Sequence, residues 1–286
     1  MSNAAAATGA PPAKVLYYRH RLPIRLVHWF NVLCLTVLLL SGFGIFNAHP
    51  SLYWGHSSYS ARPAVLQIGA VNTVAGPRGV LRIAGLEFDT TGVLGVSVRS
   101  DGSINQHAFP AWLTIPGSYS LADSRLWHFF FAWMLLFNGI FYLVYSIASG
   151  HLRRDMLPSR ADLAGIGASI RDHLKFRHPV GDAARRYNVL QKFAYLGVIF
   201  ILLPLIILMG MAMSPTLDAF MTGWVDLFGG RQSARTIHFI IALLLVAFVL
   251  IHVFEVVVSG LFNHLRSMVT GYYAIDAAAP EKGSEK

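Results

Sequence analysis

Cysteine is nearly absent from this 286-residue chain, and the one present, Cys34, lies in an apolar run. A lone cysteine excludes an internal disulfide, an iron–sulfur cluster held by this chain alone, and a CxxCH haem attachment. Charge is scarce too. Only 13% of residues are charged, 55% are hydrophobic and mean hydropathy is +0.51, whereas soluble domains carry about 25% charged residues. Acidic side chains are the scarcer sign, 14 against 23 basic, for a net charge of +9. A basic excess is compatible with nucleic acid, but basic residues also gather on the cytoplasmic side of membrane proteins. Segment 1–13 lacks the charged-then-apolar order of a signal peptide and reads as a disordered tail.

What is abundant is long apolar sequence. Four runs reach the roughly 20 residues a bilayer requires. They give an all-α integral membrane fold: a four-helix, up-and-down transmembrane bundle with spans at 24–46, 125–149, 188–212 and 235–260. Pro204 marks a kink in the third. The intervening segments are a tail 1–23, an insert 47–124, a loop 150–187, a loop 213–234 and a tail 261–286.

Charge orients the spans. Lys14, Arg19, Arg21 and Arg25 precede the first, and Arg153, Arg154, Arg160, Arg171, Lys175, Arg177, Arg185 and Arg186 lie between the second and third. The longer insert carries only Arg62, Arg78, Arg82 and Arg99, balanced by Glu87, Asp89, Asp101 and Asp123. The positive-inside rule places both termini and the Arg-rich loop in the cytoplasm and the insert outside. This topology accounts for the basic excess without nucleic acid. Runs Leu86–Phe88 and Val93–Val98, with an Asp101-Gly102 turn, read as a small partly β cap. That cap either meets a partner or covers the bundle. Thr216–Phe228 reads as a helix lying at the outer interface.

Four of twelve histidines fall in or at the ends of spans: His28, His128, His238 and His252. Ionisable residues there mark function by default; for any single one, an interfacial histidine with an ordinary hydrogen bond competes. Their depths decide. His238 and His252 are 14 residues apart on the fourth span, which is about 21 Å or close to four turns, so they face alike near opposite surfaces. By span direction His28 shares the inner depth with His252, and His128 the outer depth with His238. Two stacked bis-histidine sites suit two non-covalent b haems in a low-dielectric core. Arg25, Arg125 and Arg235 each precede one of these histidines by three residues. That puts each on the same helix face one turn nearer water, where haem propionates would project. Snorkelling of flanking arginines is the competing account. His20, His151, His173, His178 and His264, and His49, His56 and His107 in the insert, read as surface or capping residues.

With these residues the chain resembles the cytochrome b561-like membrane subunits of bacterial respiratory oxidoreductases. These include the formate dehydrogenase gamma subunit, the b-type subunit of nickel–iron hydrogenase and the thiosulfate reductase cytochrome b. The resemblance covers all four spans and leaves the insert unmatched. It implies haem ligation by His28 with His252 and by His128 with His238, in the bacterial inner membrane. It implies a quinone as substrate beside the segment Tyr187-Asn188-Val189-Leu190-Gln191-Lys192, where Asn188, Gln191 and Lys192 match the family's Tyr-Asn-x-Gly-Gln-Lys and Leu190 departs from it. It also implies a periplasmic, molybdopterin-dependent oxidoreductase as partner. A polar, basic helix start is the plain alternative for that segment. Glu255, one turn beyond His252, reads as a proton relay, a partner for Lys192, or an interfacial carboxylate. Two rival functions remain: a stand-alone quinone-linked oxidase of a small species such as superoxide, and a haem-free transporter or scaffold.

Overall fold

A computed structural model describes residues 14–58, 63–99, 101–175, 187–221 and 223–276. Segment 1–13, Arg62, Arg177, His178, Arg185 and Arg186 lie outside the described residues. Four helices are long and apolar enough to cross a membrane: α1 (Leu22–Ala48), α2 (Leu121–Ala148), the continuous stretch Val189–Ala212, and α8 (Arg231–Val258). Most of their apolar surface faces outward, as expected where lipid is the solvent.

The third span has three parts. Helix α5 (Val189–Gly197) runs into a π-helical turn, Val198–Leu202, and then α6 (Leu203–Ala212). The expected irregularity at Pro204 therefore takes the form of a widened turn just before it. Proline has no N–H to continue the ladder, and a π turn re-registers the hydrogen bonds around that gap.

The remaining elements are β1 (Lys14–Tyr18), β2 (Ser51–Leu52), β3 (Leu66–Thr73), β4 (Gly76–Ile83), β5 (Leu86–Asp89), β6 (Ser97–Val98), β7 (Ile104–Asn105), α3 (Arg160–Ala164), α4 (Ile166–Leu174), α7 (Pro215–Phe220), α9 (Leu261–Thr270) and β8 (Tyr272–Asp276). The expectation of an all-α chain thus holds for the spans and fails between α1 and α2, where β2-β3-β4-β5 form an antiparallel sheet and β6-β7 a hairpin. The expected Asp101-Gly102 turn closes that hairpin, with the Asp101 carboxylate accepting from Ser103 N and Oγ at 2.9 and 2.6 Å. Most of the expected strand Val93–Val98 is instead a tight turn, because Gly92 and Gly95 adopt positive φ. The expected helix over Thr216–Phe228 is two short pieces, α7 and the 3-10 turn Trp224–Phe228, parted by Gly223 at φ 82°.

The chain forms two compact units: Met1–Leu26 with Val144–Leu196 and Leu250–Lys286, and Val27–Leu143 with Gly197–Val249. In the first, β1 pairs antiparallel with β8, Tyr18 opposite Tyr272 and Lys14 opposite Asp276. The Arg19 guanidinium lies over the rings of Tyr187 and Tyr273.

In the second unit, segment 49–55 is bonded to the first turns of α8. Gly55 O accepts from Gln232 N and Ser233 N, capping the helix start, and Thr236 Oγ1 donates to Tyr53 O at 2.6 Å. Phe109 stacks on Phe43 at 4.1 Å and meets Phe46, which in turn packs on Phe239. Helices α1 and α2 approach closely at Gly44, where an added Cβ would lie 2.4 Å from Ser124 Oγ. Only glycine permits that approach.

Candidate functional site

The second unit brings His128 of α2 and His238 of α8 together. Ser120 supports the start of α2: its Oγ accepts from Asp123 N at 3.2 Å, and Asp123 sits in the first turn, where negative charge suits the helix dipole. His128 follows about two turns later. His238 lies two turns into α8, just below the bonds to segment 49–55. The imidazole centroids are 6.2 Å apart with the rings tilted by 59°.

Each imidazole is held through Nδ1. That of His128 is 3.1 Å from Ser41 Oγ on α1, and that of His238 is 2.9 Å from Ile206 O on α6. Each Cε1 also faces a helical glycine, such that a Cβ built on Gly42 or Gly210 would stand 3.5 Å away. The two histidines are thus mounted alike, on glycine-bearing faces of two other helices. Nδ1 held by a partner leaves Nε2 as the atom a metal would take.

His28 lies on α1 in the second unit and His252 on α8 in the first. His252 has Tyr195 of α5 edge-on at 6.3 Å. Of the three arginines, Arg235 donates to Ser51 O at 2.9 Å and to His49 O, and Arg25 donates to Val269 O. Arg125 lies over Phe129. Two of the three therefore tie neighbouring backbone down. Outside the spans, burial together with the Arg235 charge pushes the His49 imidazole below its ordinary value.

The segment carrying Asn188, Gln191 and Lys192 starts α5. Asn188 Oδ1 accepts from Leu190 N at 3.0 Å and from Ser169 Oγ, while Gln191 Oε1 accepts from Asn188 N at 3.2 Å. This is a reciprocal helix cap. It uses both amide oxygens and leaves the two amide nitrogens as donors. Lys192 does not pair with Glu255. Its Nζ lies 2.8 Å from Asp162 Oδ2, and Glu255 Oε1 lies 3.4 Å from His173 Nε2. The physical reason is local. Ser159 and Asp162 form a capping box at the start of α3, which fixes the Asp162 carboxylate where Lys192 reaches it. The Lys192 bond and the Ser159 donors hold the Asp162 carboxyl down at about 2.

Sequence reasoning passed over Ser41, Gly42, Gly210, Asp162, Tyr195 and His20. The signals were present for some: isolated glycines inside apolar helices, and a Ser-x-x-Asp capping pattern. His20, read as a surface or capping residue, is buried, with Nδ1 3.4 Å from Tyr187 Oη.

The prokaryotic cytochrome b561 family profile matches residues 19–271. The chain belongs to the prokaryotic cytochrome b561 family. It is accordingly a multi-pass, haem-binding membrane subunit for electron transfer, using haem b. A relative from Azospira oryzae, named putative protein-methionine-sulfoxide reductase subunit YedZ1, is 27% identical over 245 residues, covering 84% of this chain and 91% of its own length. No solved structure matches the chain.

The residues present fit a haem. His128 and His238 would hold the group, each with Nδ1 bonded elsewhere and Nε2 left for iron. Their ring centroids stand 6.2 Å apart.

Proposed function

We propose that this cytochrome b561 subunit holds two b haems, one between His128 and His238 and one between His28 and His252, and carries electrons between quinone and an oxidoreductase partner. The single observation that carries the reading is the His128–His238 pair: 6.2 Å between centroids, with both Nδ1 atoms engaged. The 14-residue spacing of His238 and His252 supports the second pair. Haem b, when bound, supplies the one-electron couple. The chain's own residues hold the ligand imidazoles neutral and oriented and keep water from them. Arg25, Arg125 and Arg235 stand one turn from their histidines as guanidinium donors for propionates.

The orientation we propose has both termini and the Arg-rich loop in the cytoplasm of a bacterial inner membrane, and the β-containing insert 47–124 outside. The β1–β8 ladder supports placing the two ends on one side. Quinone occupies the inner end, where Asn188 and Gln191 donate to its carbonyls and Lys192, Glu255 and His252 line the same depth. Since Asp162 neutralises Lys192, proton transfer falls to Glu255 through His173. The partner lies outside and is molybdopterin-dependent. The name of the Azospira relative supports a reductase as that partner, with electrons leaving quinol for it.

A pyridine haemochrome assay on the detergent-purified chain tests the reading, with two b haems per chain expected. Folded protein without haem, made with adequate haem supply, would leave the transporter or scaffold. Asn188→Leu is expected to slow quinol oxidation severalfold with both haems retained; an unchanged rate at subsaturating quinol would remove Asn188 from the site.

A further inference from the structure

We propose that Ser41 is a positioning residue for His128 and sets the redox potential of the haem that histidine binds; this rests on the reading of His128 and His238 as one ligand pair. Ser41 is wholly buried in α1. Its Oγ lies 2.6 Å from Val37 O, 3.2 Å from Leu38 O and 3.1 Å from His128 Nδ1. A serine hydroxyl has one proton and two lone pairs. Both carbonyls can only accept, so the proton goes to Val37 O, the shorter contact. Oγ therefore meets Nδ1 as an acceptor. That fixes the proton of His128 on Nδ1 and leaves the Nε2 lone pair for iron.

His238 reaches the same tautomer by other means, since Ile206 O can only accept from its Nδ1. The two ligands of one site thus differ in kind. One is held by main chain, which no side-chain replacement removes. The other is held by a side-chain hydroxyl, itself polarised by the bond it donates, with the Leu38 carbonyl as its second partner. An acceptor on Nδ1–H makes the imidazole a stronger donor to the metal, which favours the ferric state and holds the potential down. Without Ser41 the buried Nδ1–H keeps only the Leu38 carbonyl, His128 becomes a weaker donor, and the potential rises.

The test is a potentiometric titration of the detergent-purified full chain, followed optically, for wild type and Ser41→Ala. Both haems are expected to be retained. One midpoint should rise, with about a tenfold change in the reduced-to-oxidised ratio at fixed potential, or 59 mV for a one-electron couple, while the other stays put. Ser41→Cys keeps the volume with a weaker acceptor. It should shift the same midpoint upward by less, and it carries the test where the alanine variant does not fold. Thr36→Ala removes an equivalent bond to the carbonyl four residues back on the same helix, Thr36 Oγ1 to Val32 O at 2.8 Å, and should move neither midpoint. Two unmoved midpoints in haem-replete Ser41→Ala, or a downward shift, would overturn the proposal. Failure of the underlying pair reads out separately, as two haems retained in His128→Ala.

Discussion

If the chain holds two haems as proposed, replacing His128 or His238 with alanine is expected to lower the haem content from two per chain to one, and both variants should lose the same haem. His128 and His238 would together hold the haem, and either replacement removes one of the two imidazoles with no second donor in its place. The structure sharpens the expectation. Both rings are mounted by other helices, through Ser41 and Gly42 on one side and Ile206 and Gly210 on the other, so neither can swing far to compensate. The helices themselves should persist, because their spanning rests on apolar length and internal backbone bonds. Circular dichroism at wild-type helicity with a haemochrome value near one per chain would bear this out. Loss of both haems in folded protein, or of neither, would break the assignment.

Asp162→Ala is expected to lower the stability of the chain. Lys192 has a side chain only 8% exposed, against 28% for Asp162. Removing the carboxylate strands the ammonium charge. Breaking a buried pair costs about 3–5 kcal/mol; partial exposure of Asp162 screens this pair, so about 1–3 kcal/mol is expected. The same interaction has a pH signature. The Asp162 carboxyl is lowered from 3.8 to about 2 in the folded chain. Its contribution is therefore complete above the unfolded value near 4 and is lost as pH falls through 2. Thermal unfolding in detergent should show the wild-type advantage over Asp162→Ala at neutral pH and its shrinkage below pH ~4. Equal melting temperatures at pH 7 would mean the pair adds nothing. Because Asp162 also caps α3, Ser159→Ala separates the roles: it should cost about 1 kcal/mol with Lys192 still paired.

The spans were legible in the sequence to within four residues at each end. The expected 24–46, 125–149, 188–212 and 235–260 compare with observed helices at 22–48, 121–148, 189–212 and 231–258. The ends that differ most are the starts of α2 and α8. Their first turns are polar, with Asp123 in one and Gln232 and Ser233 in the other, and hydropathy does not register a turn stabilised by capping. The sheet was only half legible. The β3–β4 hairpin turns through Val74 and Ala75, with Thr73 opposite Gly76, and lacks the Asn-Gly or Asp-Gly pair that announces such turns.

By itself the sequence determined that this chain has four helices long and apolar enough to cross a membrane, with His238 and His252 fourteen residues apart on the fourth. Backbone desolvation in lipid admits few alternatives to an apolar helix of bilayer length, and the helical repeat converts residue spacing into depth. Tertiary structure alone decided the partners. The pairing of β1 with β8, Lys192 with Asp162 rather than Glu255, and His128 with Ser41 joins residues between 30 and 262 positions apart. No local periodicity encodes such pairings, because each depends on which faces of separate elements meet and which polar groups must satisfy one another once water is gone.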